Sequence, residues 1–151
     1  MKRRTFLQGT LAASAAGLAV SAGLLTPGMV MAEGGGAFDA KSMEDALKVM
    51  ALTPEDSGDV KIKAPEIAEN GAVVPVTVTS GVAGTTEISI LVDGNPTPLA
   101  ATFILAEGTS PEVSTRIKMG KTANVVAIAK AGDKSYTAKQ EVKVTIGGCG
   151  G

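Results

Sequence analysis

Short apolar runs that alternate with polar residues recur from Val60 almost to the end of the chain. Alternation with a period of two is typical of strands that bury one face. Turns rich in Gly, Pro, Asn and Asp separate the runs. Seven runs are present, at residues 60–64, 73–80, 87–92, 99–105, 113–119, 125–130 and 135–146. They predict an all-β, Ig-like β-sandwich of about seven strands, although the Cys-Trp-Cys spacing of true immunoglobulin domains is missing.

A different period appears before the first strand. Ser42 followed by Asp45 resembles a capping box, and Pro54 marks a stop, so we expect one N-terminal amphipathic helix between them. We interpret residues 33–37 as a flexible, glycine-rich leader and residues 53–59 as an acidic turn. The apolar residues that recur at helical spacing are Met43, Ala46, Leu47, Met50 and Ala51.

The N-terminus has the three parts of an export signal. A basic start with the pair Arg3 and Arg4 precedes an uncharged stretch at residues 11–25, and small residues at Val30 and Ala32 suit a cleavage site. The paired arginines indicate a twin-arginine address. We therefore expect residues 1–32 to be a removable signal peptide and the mature protein to be periplasmic. A single membrane anchor is the alternative, and the Ala, Gly and Ser content disfavours it.

The remaining chain is predicted to hold one domain, residues 33–146. Loss of three of the 14 basic residues against 15 acidic residues leaves a charge of about −4, which disfavours nucleic acid and anionic membranes as partners. The chain has no His and only one Cys. It therefore lacks the usual general base, a Ser-His-Asp or Cys-His set and an internal disulfide. We expect neither an enzyme nor a bound metal or cofactor.

The single cysteine lies in a terminal segment of residues 147–151. Cys149 is flanked by Gly147, Gly148, Gly150 and Gly151, which have no side chains to pack, so we expect a flexible arm. The thiol would extend roughly 10 Å beyond the last strand. Its thiolate form, with an ordinary pKa near 8.5, could undergo disulfide or persulfide chemistry. Cross-linking of subunits through the tail remains an alternative.

Three segments resemble the SoxY family of sulfur carriers. They are residues 65–76 (PEIAENGAVVPV), 114–119 (STRIKM) and 144–151 (VTIGGCGG). The resemblance implies an Ig-like sandwich that pairs with a SoxZ-like subunit. It also implies that Cys149 covalently binds thiosulfate-derived intermediates. Partner enzymes would act on them: a SoxAX-like cytochrome, a SoxB-like hydrolase and, in some pathways, a sulfur dehydrogenase. An exported structural module, cross-linked through Cys149, is the other function left open.

The first of these segments also has a purely structural interpretation. Asn70 and Gly71 favour a turn between strands. Pro75 favours an edge or bulge position, because proline cannot donate a hydrogen bond to a neighbouring strand. Only Cys149 and its flanking glycines are therefore assigned a functional role.

Overall fold

The structure is a computed structural model that describes residues 35–145. It contains two short helices followed by nine strands, and the strands form two packed sheets. The helices are α1 (Gly35–Asp39) and α2 (Met43–Val49). The strands are β1 (Glu55–Asp56), β2 (Val60–Lys63), β3 (Ile67–Ala68), β4 (Val74–Ser80), β5 (Thr85–Val92), β6 (Leu99–Ile104), β7 (Glu112–Ile117), β8 (Ala123–Ala131) and β9 (Lys134–Val144).

The two sheets have different sizes. The larger sheet has the order β1-β9-β8-β5-β6, with β3 also paired to β9, and the smaller sheet has the order β2-β4-β7. The principal strand pairs are antiparallel, and only β1 and β3 run parallel to β9. The prediction of an all-β, Ig-like sandwich is thus confirmed.

Each of the seven predicted strands corresponds to a strand of the structure. The two additional strands, β1 and β3, have only two residues each, and both add to the outer side of β9. The predicted acidic turn at residues 53–59 therefore contains the strand β1. A two-residue strand has no alternation of apolar and polar residues that a sequence pattern could reveal. The last predicted strand extended to Ile146, which lies outside the described residues.

The predicted helix is confirmed as α2. The Ser42 Oγ accepts a hydrogen bond from the Asp45 amide at 3.1 Å and donates one to the Asp45 carboxylate at 2.8 Å. The predicted pair of Ser42 and Asp45 therefore forms. In a capping box the Asp45 carboxylate would accept from the Ser42 amide, whereas here it accepts from the Ser42 hydroxyl. The prediction of a flexible leader is wrong for residues 35–37, which begin α1. Ala37 is only 2% exposed, because this helix packs against the larger sheet.

Two apolar clusters hold these layers together. The main core lies between the sheets and is dominated by β-branched residues, which suit strands. The second cluster lies between the helices and the outer face of the larger sheet. Its buried members are Ala37, Ala40, Ala46, Leu52, Leu91, Leu99, Val126 and Ile128. The outer face of the larger sheet is therefore partly covered by helices.

Pro75 occupies a locally open position within a central strand. The β2 strand pairs with β4 only from Thr77 to Ser80, whereas β7 places Arg116 opposite Pro75. The predicted edge position is therefore found where β4 has a paired strand on one side only, which suits a residue without an amide hydrogen. Within residues 35–145, no helix has the length and apolar character needed to cross a membrane.

Candidate functional site at the end of β9

The predicted site residues lie outside the part of the chain that the structure describes. These residues are Gly147, Gly148, Cys149, Gly150 and Gly151. The chain is described up to Thr145, one residue after β9 ends. The structure therefore shows the base from which the segment that carries Cys149 begins.

Hydrogen bonds from three amides hold this base from two sides. The amide of Lys143 donates to the Glu66 carbonyl at 2.9 Å, and the amide of Thr145 donates to the Ala68 carbonyl at 3.3 Å. Between them, the Val144 amide donates to Oγ1 of Thr122 at 2.9 Å. Three consecutive amides at the end of β9 are thus satisfied. The last described residues are tied both to β3 and to the loop before β8.

The turn between β3 and β4 packs closely against the same point. A Cβ atom added at Gly71 would overlap the carbonyl oxygen of Met119 and approach Cγ1 of Val144 to 2.9 Å. The Met119 amide also donates to the Gly71 carbonyl at 2.7 Å. The side chain of Met119 is fully buried in the main core. Gly71 therefore allows a close approach that other residues would prevent.

A second turn braces the adjacent loop. Nδ2 of Asn95 donates to the Lys118 carbonyl at 2.7 Å, and the Gly120 amide donates to Oδ1 of Asn95 at 3.2 Å. The Asp93 carboxylate accepts from the amide and the side chain of Asn124, at 2.9 and 2.8 Å. We call this end of the sandwich, formed by residues 69–73, 93–98, 118–122 and 144–145, the exit end.

The surface of the exit end is mixed in character. The side chain of Val73 is 48% exposed, and that of Ile67, in the neighbouring strand β3, is 56% exposed. A groove of about 640 Å³ opens between β6 and β7, with Arg116 and Lys118 among its lining residues. Its lining includes apolar residues such as Leu99 but no acidic residue. An anionic or apolar group is therefore better suited to this groove than a cation.

Among residues 35–145, no group of three or more His, Cys, Asp and Glu side chains is arranged to hold a metal ion. In the same residues, every buried side-chain nitrogen or oxygen has a hydrogen-bond partner. The buried hydroxyl of Ser89, for example, lies 3.0 Å from Oγ1 of Thr102. The buried polar groups thus have a structural explanation in their hydrogen bonds.

Sequence reasoning missed the residues that anchor this base. Thr122 had no pattern that distinguished it from other surface threonines, and its role depends on a contact across 22 positions. Glu66 and Ala68 act through their backbone carbonyls, so their side chains gave no signal. The one available signal was Gly71 after Asn70, which predicted the turn but not its packing against Met119.

Comparison with known proteins identifies the class. The family model described as "Sulfur oxidation protein SoxY" matches residues 46–149. The solved structure of the sulfur carrier protein SoxY from Chlorobium limicola f thiosulfatophilum is 47% identical, with a TM-score of 0.63, and the alignment covers 70% of this chain and 97% of that chain. An engineered protein aligns at 16% identity with a TM-score of 0.40, over 58% of this chain and 20% of that chain. The search for curated relatives gave no match.

The fold and the matched region together define a sulfur carrier protein built on an Ig-like sandwich. Within that class, the chain belongs to the SoxY family of sulfur oxidation proteins. The sequence-based recognition of this family is therefore confirmed.

Proposed function

We propose that the protein is a periplasmic carrier that covalently holds thiosulfate-derived intermediates on Cys149 and is itself not an enzyme. The observation that carries this proposal is that the SoxY family match extends through residue 149, the position of the only cysteine. The sequence has no His, so it lacks the usual proton-transfer group near neutral pH. Catalysis on the bound sulfur is therefore assigned to partner enzymes.

The proposed chemistry begins with the thiol of Cys149 and free thiosulfate. A bond forms between Sγ and the outer sulfur of thiosulfate, the thiol loses its proton, and two electrons pass to a SoxAX-like c-type cytochrome. Water then attacks the oxidised sulfur at a SoxB-like hydrolase, which releases sulfate and leaves a persulfide on Sγ. Both products are stable covalent states of a cysteine.

The anchored end of β9 supports this assignment. Cys149 lies four residue steps beyond Thr145, so its backbone can reach at most about 14 Å from Thr145. The hydrogen bonds of Lys143, Val144 and Thr145 fix the point from which that reach is measured. A carrier with a fixed base and a short terminal segment can present one thiol to several active sites.

The proposal extends to partners and location. A SoxZ-like subunit would form a heterodimer with this chain, and a sulfur dehydrogenase would act on the persulfide where one is present. Residues 1–32 would direct export by the twin-arginine route before their removal. The paired Arg3 and Arg4 and the small residues before Glu33 support this location.

Intact-mass spectrometry of the heterodimer tests the covalent assignment. After incubation with thiosulfate and a SoxAX-like cytochrome, without reductant, we expect one added thiosulfate group on Cys149. Treatment with a SoxB-like hydrolase should then remove the sulfone portion and leave one extra sulfur atom. Cys149→Ser should show neither mass change, because its hydroxyl forms no disulfide bond.

A relocated thiol supplies the matched control. In Cys149→Ser combined with Thr145→Cys, the thiol is moved to the end of β9 and no longer lies within the glycine-rich segment. We expect it to react with a small maleimide but to receive little thiosulfate from the cytochrome. Thiosulfate turnover by Cys149→Ser would contradict the carrier proposal, whereas a stable disulfide dimer as the active form on non-reducing gels would support the structural module instead.

A further inference from the structure

The outer face of the smaller sheet differs from the rest of the surface in charge. The register of β2, β4 and β7 places alternate side chains on this face, and most of them are exposed. We call it the basic face. Its members are Lys61, Lys63, Pro75, Thr77, Thr79, Glu112, Ser114 and Arg116. Both helices of residues 35–145 pack on the larger sheet, so neither helix covers the basic face.

Positive charge dominates this face although the whole chain has a net charge of −1. Lys61, Lys63 and Arg116 are exposed, and Glu112 is the one acidic residue among the eight. Lys118, also exposed, follows two residues after Arg116. Like charges gathered on one face create a local potential that attracts surfaces of the opposite sign.

The neutral side chains of the face are mostly hydroxyls that bond along the sheet. Oγ1 of Thr77 lies 2.7 Å from Oγ of Ser114, and Oγ1 of Thr79 donates to the Glu112 carboxylate at 3.2 Å. Apolar area is limited, with a shallow hollow of about 330 Å³ between Pro65 and Pro75. A permanent interface has a more apolar centre than this, so the composition fits a transient contact.

The basic face ends beside the end of β9, where the segment that carries Cys149 begins. The row formed by Pro75 and Arg116 is followed by the turn in which Gly71 touches Met119 and Val144. A protein bound along this row would therefore lie next to the point where β9 ends. With about 14 Å of chain beyond Thr145, Cys149 could enter an active site in that protein.

We propose that the basic face docks an acidic surface on the enzymes that act on Cys149. This inference rests on the proposed carrier function, because it names the partners of the same thiol. Charge complementarity raises the rate of encounter more than the lifetime of a complex. A carrier that visits several enzymes in turn needs rapid binding and rapid release, and a polar, charged face provides both.

Association kinetics test the proposal without sulfur chemistry. The Cys149→Ser carrier, as a heterodimer with its SoxZ-like subunit, is mixed with the SoxB-like hydrolase or the SoxAX-like cytochrome of the same organism. We expect Lys61→Glu, Lys63→Glu and Arg116→Glu, combined, to lower the association rate constant at low salt by at least about tenfold. For the Cys149→Ser carrier without charge reversals, the association rate constant should fall as salt is added. This salt dependence should largely vanish in the carrier with the three charge reversals.

Two further variants make the result specific. Lys48→Glu, Lys134→Glu and Lys139→Glu, combined, change the net charge equally at exposed positions elsewhere, and we expect a much smaller effect. A neutral set replaces the same three residues by glutamine: Lys61→Gln, Lys63→Gln and Arg116→Gln. It should give an intermediate association rate constant, and it tests the basic face even if the charge-reversed set fails to fold.

Several outcomes would overturn the proposal. Equal effects of the two reversed sets would show that only net charge matters. Loss of the heterodimer would show that the SoxZ-like subunit covers the face. Aggregation of the neutral set with unchanged rates would show that the lysines only protect an edge strand from pairing. Failure of the carrier function would instead appear in the mass measurement on Cys149, while the association rates stay interpretable.

Discussion

The two ends of the sandwich use glycine in opposite ways. At the exit end, an added Cβ at Gly71 would overlap backbone, and one at Gly94 would lie 2.6 Å from Cβ of Ala123. At the far end, which we define by residues 81–84, 105–111 and 131–133, Gly84 and Gly132 have positive φ angles of 75° and 61°. Nothing lies within 4 Å of an added Cβ at either residue. Gly71 and Gly94 thus serve close packing, whereas Gly84 and Gly132 serve turn conformation.

This difference indicates which end is built to hold its shape. At the exit end, contacts converge on Val144 from the β3–β4 turn, which packs on its side chain, and from Thr122 in the loop before β8, which bonds its amide. At the far end, the turns contain glycines with a left-handed backbone, Gly84 and Gly132 among them. A thiol delivered over a short distance requires a fixed base. The packing at the exit end meets that requirement. The far end is held instead by hydrogen bonds, such as that between Oγ of Ser80 and Oγ1 of Thr85 at 2.8 Å.

Truncation of the apolar side chain at each end should give the largest contrast. Met119 at the exit end is fully buried, whereas Leu105 at the far end is only half-buried. We expect Met119→Ala to lower the free energy of unfolding by about 2–5 kcal/mol, from lost burial and the cavity left behind. Leu105→Ala should cost less than about 2 kcal/mol.

Urea unfolding of the mature chain measures both free energies. The dependence of the free energy on urea concentration should stay unchanged, which checks that only stability has changed. Equal losses for the two variants would contradict the view that the exit end is the more tightly packed. A larger loss for Leu105→Ala would reverse it.

Substitution of the glycines should give the next largest effect and distinguish the two mechanisms. We expect Gly71→Ala to cost about 1–3 kcal/mol, because the Met119 carbonyl must move. Gly84→Ala should cost about 1–2 kcal/mol from its left-handed backbone alone. Asparagine adopts that backbone more readily, so Gly84→Asn should be milder than Gly84→Ala.

At Gly71, in contrast, asparagine should be no better than alanine, since the conflict is one of space. Thermal and urea unfolding of the four variants measure the pattern. Gly58→Ala is the control, because nothing lies within 4 Å of its added Cβ. Relief of the Gly71 defect by asparagine would show that backbone conformation, and not the approach of Met119, explains that glycine.

The sequence predicted the main strands because each has enough residues to show alternation. The run from Val74 to Ser80 buries every second residue, which is the pattern that a strand of a sandwich must have. The capped helix at Ser42 was predictable for the same reason, since its signals are local. The two-residue strands β1 and β3 were not predictable, because they exist only through their pairing with β9.

The site was predictable only in part. Cys149 was apparent as the single cysteine among glycines, and the chain position alone identified it. The hydrogen bonds that hold the base were not apparent, because they join Thr122 to Val144 and Glu66 to Lys143 across long separations. The basic face was missed as well, since Lys61 and Arg116 lie 55 positions apart in the chain and share a face only through the register with β4.

The smallest expected effect concerns the single side-chain hydrogen bond at the base. Thr122→Val removes the acceptor of the Val144 amide but keeps the shape of the side chain. We expect a loss of about 0.5–1.5 kcal/mol, because Thr122 is exposed and water can partly replace the hydroxyl. Thr122→Ser keeps the acceptor and should change stability much less.

Hydrogen exchange of the Val144 amide gives the local readout. Exchange should become faster in Thr122→Val than in Thr122→Ser, while the amides of the central strand β8 keep their rates. Faster exchange with an unchanged midpoint of unfolding would mean that the bond orders the base without adding to global stability. Unchanged exchange would mean that the β3 contacts alone hold the end of β9, and the difference between the two ends would then rest on backbone packing at Gly71 rather than on side-chain hydrogen bonds.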